Sequence, residues 1–339
     1  MKDRYSRQIL FPSIGEKGQQ KIAEATVLII GCGALGTAIS ETLVRAGVKK
    51  IILADRDYVE ASNLQRQQLF TEQDALAKTP KVVAAKRRLI DIRSDVQIET
   101  VLDHINSEKM EALCQGCDLL LDATDNFETR LTMNDVAWKY QIPWIYGACV
   151  GSTSLSFSFV PGKTPCFQCL LPALPAVNET CDTAGIIAPA VQITASHQCA
   201  EALKWLSGNS EAMRTKMLTY DCWHNTSMEI GISRLKKNTC PTCGEHPSYP
   251  AINKEMDTNF AVLCGRNTVQ VIPEKNRSLT LNEVETVLQR LDKPYRKNAY
   301  FIETKISDYR MIIFKNGRLL IHGLKDIQKG RKIYHQYFG

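Results

Sequence analysis

The stretch T-V-L-I-I-G-C-G-A-L-G, residues 26–36, decides how this chain is read. Its first five residues are apolar or β-branched, as suits a strand buried on both faces. They run into a turn with glycines at 31, 33 and 36, and an apolar helical pattern follows through Ile39, Leu43 and Val44. Gly47 suits the helix stop, and a second strand begins over residues 50–53. In this β-α-β unit Gly31, Gly33 and Gly36 permit a tight turn and close backbone approach, so that phosphates can lie against the amides of the helix N-terminus. Asp55 stands 19 positions after Gly36, at the end of the second strand, where a carboxylate accepts hydrogen bonds from ribose hydroxyls. Alone, this pattern indicates a nucleotide and not a reaction. NAD-dependent oxidoreductases share it, and glycines also serve helix–strand packing.

Working outward, apolar strands are expected at residues 98–102, 119–122 and 144–146, with helices near 82–90 and 131–140. The alternation predicts an α/β fold, a doubly wound, Rossmann-like and mostly parallel sheet with helices on both faces. With 339 residues the chain exceeds what one core supports, which predicts a second, smaller domain. Apolar residues make up 44% and charged residues 23%, ordinary values for a globular protein that argue against disorder. The N-terminus lacks the apolar core of a signal peptide, no apolar run is long enough to span a membrane, and twelve cysteines suggest thiols or metal ligands. A cytoplasmic enzyme is the expectation, with no membrane partner.

The segment after Asp55 narrows the ligand. Asn63, Arg66 and Gln67 follow closely, and Lys81 lies in K-T-P-K-V-V. Two fixed cations and an amide near one nucleotide suit a triphosphate, because nucleotidyl transfer depends on neutralising charge on the leaving group. The pattern points to ATP, although each cation taken singly reads as an ordinary surface residue. Next comes D-A-T-D-N, with Asp122, Asp125 and Asn126 directly after an apolar strand. A carboxylate there faces the ligand crevice and can hold Mg²⁺, and Asp125 is the candidate. Its competing role is to cap the helix that begins near Phe127, a task open equally to Asp122 or Asn126.

Cysteine spacing is a separate signal. Cys166-Phe-Gln-Cys169 and Cys240-Pro-Thr-Cys243-Gly are C-x-x-C pairs beside proline or glycine, the turn chemistry of a structural Zn²⁺ site. A third pair, Cys114 and Cys117, runs straight into a strand and reads as buried thiols. Cys181, in N-E-T-C-D-T-A-G, sits in a polar stretch of loop character, where a thiol can approach an activated carbonyl.

Taken in order, R-Y-S-R-Q at residues 4–8, G-C-G-A-L-G, S-N-L-Q-R-Q, P-K, A-T-D-N and the two cysteine pairs resemble the ThiF/MoeB/HesA family, bacterial relatives of ubiquitin-activating enzymes. The resemblance covers roughly residues 1–250. It implies a homodimer that adenylates the Gly-Gly carboxyl terminus of a ubiquitin-like sulfur-carrier protein of the ThiS or MoaD type. It further implies Asp55 on the ribose, Asn63, Arg66 and Lys81 on the phosphates, and Asp125 on magnesium. Arg7 would reach the triphosphate of the neighbouring subunit, and Cys181 matches a cysteine associated with acyl or sulfur transfer.

A carboxylate is already ionised at neutral pH, so no general base is nominated, and the six histidines show no triad or metal spacing. From residue 251 onward the chain carries 16 Lys and Arg against 9 Asp and Glu, whereas residues 1–250 carry a net −1. Residues 257–339 are expected to form a small basic β-α-β-β-α domain: a strand at 269–272, a helix at 281–291, a hairpin turning at Asn316-Gly317, and a closing helix at 327–338. A zinc-containing nucleic-acid-binding protein would explain the basic tail but not the nucleotide crevice, and no nucleic-acid partner is expected.

Overall fold

Five strands of the first unit are parallel, and their order reverses at the glycine turn. The structure, a computed structural model, describes residues 3–173, 184–253, 260–262, 267–273 and 279–338. The chain divides into two compact units, Met1–Lys254 and Glu255–Gly339. In the first, the strands are β1 (Thr26–Ile30), β2 (Lys50–Asp55), β3 (Gln97–Leu102), β4 (Leu119–Asp122), β5 (Trp144–Val150), β6 (Thr153–Phe159), β7 (Lys216–Asp221) and β8 (Thr226–Gly231). They form one sheet in the order β3-β2-β1-β4-β5-β6-β7-β8. β3 through β5 pair in parallel, and β6, β7 and β8 are added antiparallel. The antiparallel extension was not foreseen from the sequence; β8 is exposed along its whole length and has no continuous apolar signature.

Alternation along each central strand builds two cores. Val27, Ile29, Ile51, Leu53, Leu119 and Leu121 pack with the helices Ala34–Ala46, Lys81–Ile92 and Ala188–Leu206. Leu28, Ile30, Ile52, Leu120, Trp144 and Tyr146 pack with Met110 of the helix Ser107–Leu113 and with Met133, Val136 and Ala137 of the helix Phe127–Lys139. Such residues are almost wholly buried, and each contributes about 1.5–3 kcal/mol of transfer free energy. Register then sets the site: Ile30 is level with Ala54 and with Asp122, and Asp55 with Leu102. The C-terminal ends of β1, β2, β3 and β4 therefore finish along one edge, with the switch point between β1 and β4.

The second unit holds an antiparallel sheet of β9 (Phe260–Val262), β10 (Thr268–Val271), β11 (Tyr295–Lys297), β12 (Phe301–Ile306), β13 (Tyr309–Phe314) and β14 (Leu319–His322), in the order β11-β12-β13-β14-β10-β9. The helices Leu281–Arg290 and Ile327–Phe338 bury Val284, Leu288, Ile333 and Tyr334 in its core. Its hairpin turns at Asn316-Gly317, with Gly317 at φ +81° and the Arg318 amide donating to Asn316 Oδ1. The described sheet is larger than the three strands expected, because β9 and β11 have only three residues each and carry no periodic signal, and β12 went unread. Among the described residues no helix is long and apolar enough to cross a membrane.

Candidate active site

The glycine turn is dictated by contacts within the chain at two positions and leaves room at the third. Gly31 has φ +99°, and a Cβ there would lie 2.3 Å from the Ala123 carbonyl oxygen. A Cβ at Gly36 would lie 2.0 Å from the Gly31 carbonyl oxygen, so helix and strand approach only with glycine present. At Gly33 a Cβ would meet only Gln67 Nε2, at 3.8 Å. Gly33 is the N-cap of the 13-residue helix Ala34–Ala46 and gives no side-chain cap, which leaves the first-turn amides for an anion. Asp55, at the end of β2, accepts from Cys32 N at 2.6 Å and from Asp57 N at 2.7 Å, which orients both oxygens and leaves each with further acceptor capacity. Burial first, and then the Asp55 carboxylate, push the Cys32 thiol up, so it stays neutral beneath the turn.

Lys81 is brought to this edge from 26 residues beyond Asp55. Lys81 N donates to Asp57 O, Val59 N donates to Thr79 O, and Tyr58 bridges Pro80, so the two segments lie side by side. The Lys81 ammonium, on a nearly buried side chain, lies 3.6 Å from Asp57 Oδ2. Asn63 is buried in a short turn of helix, where its Oδ1 accepts from Glu60 N at 3.0 Å. Arg66 is half-buried and donates to Ser62 O at 2.9 Å. Gln67 is buried beside Gly33, and among the described residues its Oε1 has no hydrogen-bond partner.

At the end of β4 three polar residues divide the work. Asp122 is wholly buried and accepts from Thr124 N at 2.9 Å, Thr124 Oγ1 at 2.7 Å and Arg130 Nε at 2.8 Å. Asn126 caps the helix Phe127–Lys139, accepting from Thr129 N at 2.8 Å. Asp125 is thereby spared both tasks and is exposed, its Oδ1 accepting, among the described residues, a long 3.4 Å bond from Asn126. Sequence reasoning missed Arg130. It donates to Thr124 O and Gly147 O, lies over the Tyr146 and Phe127 rings, and so pins the loop that presents Asp125. Burial lowers its pKa, but Asp122, with Tyr146 and Asp125, together outweigh this and raise it. An arginine inside a helix without a clear polar stripe gave no signal beyond its spacing from Asp122.

Arg7 lies elsewhere. It is exposed on the short helix Ser6–Ile9, whose Gln8 donates, together with Gln19, to Ala46 O. Ala46 ends the helix that the glycine turn begins, about 20 Å away at 1.5 Å per residue. Arg4 likewise donates to Ile92 O, at the far end of the helix that Lys81 begins. Cys181 lies outside the described residues.

The four predicted cysteines come together. The sulfurs of Cys166, Cys169, Cys240 and Cys243 all lie within 4.8 Å of one another, with Cys166–Cys240 at 3.5 Å and Cys169–Cys243 at 3.6 Å. A tetrahedral zinc site with Zn–S of about 2.3 Å has edges of about 3.8 Å, so this cluster fits such an ion. Hydrogen bonding, foremost from Cys166, pulls the Cys243 thiol down to about 5, while Cys166 is pushed up by its bond with Cys243 and by burial. Packed this closely, the thiols ionise at one another's expense unless a cation joins them. One helix holds both pairs: Asn134 accepts from Phe167 N at 2.8 Å, and Asp135 accepts from Thr242 Oγ1 and, at 2.7 Å, from Ala251 N. Cys114 and Cys117 are buried, each bonded to a carbonyl of its own helix region, with burial raising them to about 11 and about 12.

A switch-point crevice with a glycine turn, a carboxylate at the end of β2 and a buried lysine, beside four clustered thiols that could hold a metal ion, defines an α/β protein of the nucleotide-binding type. The chain belongs to the ThiF family, whose sequence profile matches residues 5–242. It is 47% identical to the sulfur carrier protein ThiS adenylyltransferase of Bacillus subtilis over 339 residues, all of both chains. It is 34% identical to the molybdopterin-synthase adenylyltransferase of Escherichia coli over 245 residues, 71% of this chain and 96% of that one. Among solved structures, E. coli MccB with ATP superposes at a TM-score of 0.62 with 25% identity, covering 71% of this chain and 74% of that one.

Proposed function

We infer that this protein is an adenylyltransferase that joins AMP to the C-terminal carboxylate of a ubiquitin-like sulfur-carrier protein and releases pyrophosphate. The observation that carries the reading is the joining of Gly31–Gly36, Asp55, Lys81 and Asp125 along one sheet edge in a chain that matches a ThiS adenylyltransferase end to end. A ThiS-type carrier, and thus thiamine biosynthesis, is favoured over a MoaD-type carrier and molybdenum cofactor synthesis, because the former relative covers residues beyond 250 as well.

The incoming carboxylate is the nucleophile, so the protein's task is alignment with the α-phosphorus and neutralisation of the leaving pyrophosphate. The open amides after Gly33 take phosphate oxygens, and Asp55 takes the ribose hydroxyls. Asn63, Arg66, Gln67 and Lys81 hold the triphosphate, while Asp125 and Asn126 stand where Mg²⁺ would be received. Magnesium, when bound, would neutralise charge on the substrate phosphates. Zn²⁺ in the four-thiolate cluster serves structure only. Residues 1–250 carry this machinery, and residues 257–339 form a separate basic domain.

The remaining cation comes from a second copy. Arg7 stands about 20 Å from its own glycine turn, so it serves the neighbouring subunit of a homodimer. Cys181 takes part in the later acyl or sulfur transfer, and the enzyme works in the cytoplasm. The test is ATP/pyrophosphate exchange with purified ThiS-type and MoaD-type carriers. Exchange is expected with the ThiS-type carrier, and Asp125→Ala should cut it by about 10²–10³-fold. Loss of ATP binding in the presence of magnesium, or exchange with neither carrier, would overturn the reading.

A further inference from the structure

The geometry points to Gln198, wholly buried on the helix Ala188–Leu206, as the residue that positions Asp125 to receive magnesium. The inference rests on the ATP and magnesium reading above and deepens it. β4 is held to its two neighbours unequally. It pairs with β1 to its last residue, Ile30 with Asp122, but with β5 only at Leu120–Trp144 and Leu121–Ile145. β5 itself continues against β6 as far as Val150. The two strands therefore part just before the loop that carries Asp125. There Asp122 O takes its donor from a helix: Gln198 Nε2 donates to Asp122 O at 2.7 Å and to Ile145 O at 3.2 Å. Both amide protons are spent on tying β4 to β5 where the ladder has stopped.

The seat of that amide is exclusive. A Cβ at Gly147 of β5 would stand 2.3 Å from Gln198 Cδ and Oε1, so only glycine admits the side chain. From the other face of the sheet Arg130 spans the same split, donating to Asp122 Oδ2 and Thr124 O on one side and to Gly147 O on the other. Toward β1 the loop is fixed without either residue. Ala123 N donates to Ile30 O, and Ala123 O lies 2.3 Å from where a Gly31 Cβ would be. Gln198 thus sets how far the end of β4 leans toward β5, and Asp125 follows three residues after Asp122. Among the described residues Gln198 Oε1 and Ser156 Oγ, which stands opposite Gly147 on β6, are buried without partners. The amide is held by its donor side alone, and its loss should move the carboxylate while leaving the glycine turn in place.

The experiment measures binding of ATP to the full chain with magnesium and with magnesium chelated, beside thermal unfolding, for Gln198→Leu, Gln198→Ala, Gly147→Ala and the double variant of the two alanine changes. Gln198→Leu keeps the volume without the donor. It should lose about 10-fold of the affinity that magnesium adds, since partners that orient metal ligands contribute about 10–100-fold, and leave chelated binding unchanged. Gly147→Ala should do the same by pushing the amide off its seat, and should add no further loss beside Gln198→Ala. Should Gln198→Leu fail to fold, Gly147→Ala is read by the same ratio. A lower unfolding midpoint with the magnesium gain intact, equal losses with and without magnesium, or additive losses in the double variant would make Gln198 a packing residue and overturn this assignment alone. An unmodified chain that binds no ATP, or gains nothing from magnesium, would overturn the parent reading with it.

Discussion

The four-cysteine cluster and the nucleotide crevice share one helix, Phe127–Lys139, and are held by opposite means. At the cluster, Asn134 and Asp135 reach out from the middle of the helix to fix the two cysteine pairs, and the sulfurs face one another in an almost closed space. At the crevice, the residues just ahead of the helix are kept open: Asn126 caps it, Arg130 pins the preceding loop through Asp122 and Thr124, and Asp125 is left exposed. The cluster spends its polar groups on the chain itself. The crevice spends supporting residues on the chain and reserves others: among the described residues Gln67 Oε1 is unpartnered, and Gly33 gives the amides after it no side-chain cap. A fold can thus brace a site with one end of an element and expose chemistry at the other.

The sharpest way to break this comparison is to substitute on both sides and measure stability and activity separately. If the cluster holds zinc as proposed, Cys240→Ala should abolish metal binding and lower stability by at least about 4 kcal/mol, since structural zinc contributes about 10–16 kcal/mol in small zinc domains. Metal analysis and thermal unfolding would show it. Arg66→Ala, by contrast, should leave unfolding within about 0.5 kcal/mol while impairing pyrophosphate exchange. If both variants unfold alike, the division is wrong. A smaller effect is expected at Asp135→Ala, which strands the Thr242 hydroxyl and the Ala251 amide at a cost of about 2–3 kcal/mol. Its midpoint should fall clearly, with exchange at low temperature close to that of the unmodified chain.

How much of this was legible in the sequence depends on whether a residue acts through its neighbours in the chain or through a distant partner. Gly31, Gly36 and Asp55 are bound to one local β-α-β unit, and the strand boundaries fell within a residue of those observed at β1 and β4. The cysteine pairs were readable because each C-x-x-C is itself a local turn. Arg130 stands only 8 residues from Asp122 and went unread because one arginine in a helix carries no signal of its own. Gln198 was not readable, since its partners are distant in the chain: it donates to Asp122 O at 2.7 Å and to Ile145 O at 3.2 Å from a helix 76 and 53 residues away. Asp57 hid for the same reason; its place beside Lys81 follows from the tie between the β2 loop and residues 79–81. The helix Ala188–Leu206 and the strands β7 and β8 were missed because their patterns do not resolve into one clean period, whereas β6, T-S-L-S-F-S-F, alternates strictly and went unread.

The smallest effect tests whether the two ends of the shared helix communicate at all. Asn126 caps the helix through Thr129 N and touches Asp125, so it is the joint between brace and chemistry. Removing the cap with Asn126→Ala should cost about 1 kcal/mol, the usual value for an N-cap amide. Asn126→Ser, which keeps an acceptor for Thr129 N, should restore most of that stability but cannot reproduce the donor toward Asp125. If the cap alone matters, unfolding and magnesium-dependent exchange will recover together in the serine variant. Recovery of unfolding without recovery of exchange would assign Asn126 a second task, holding Asp125 in place, and make the crevice depend on a contact that contributes almost nothing to the fold.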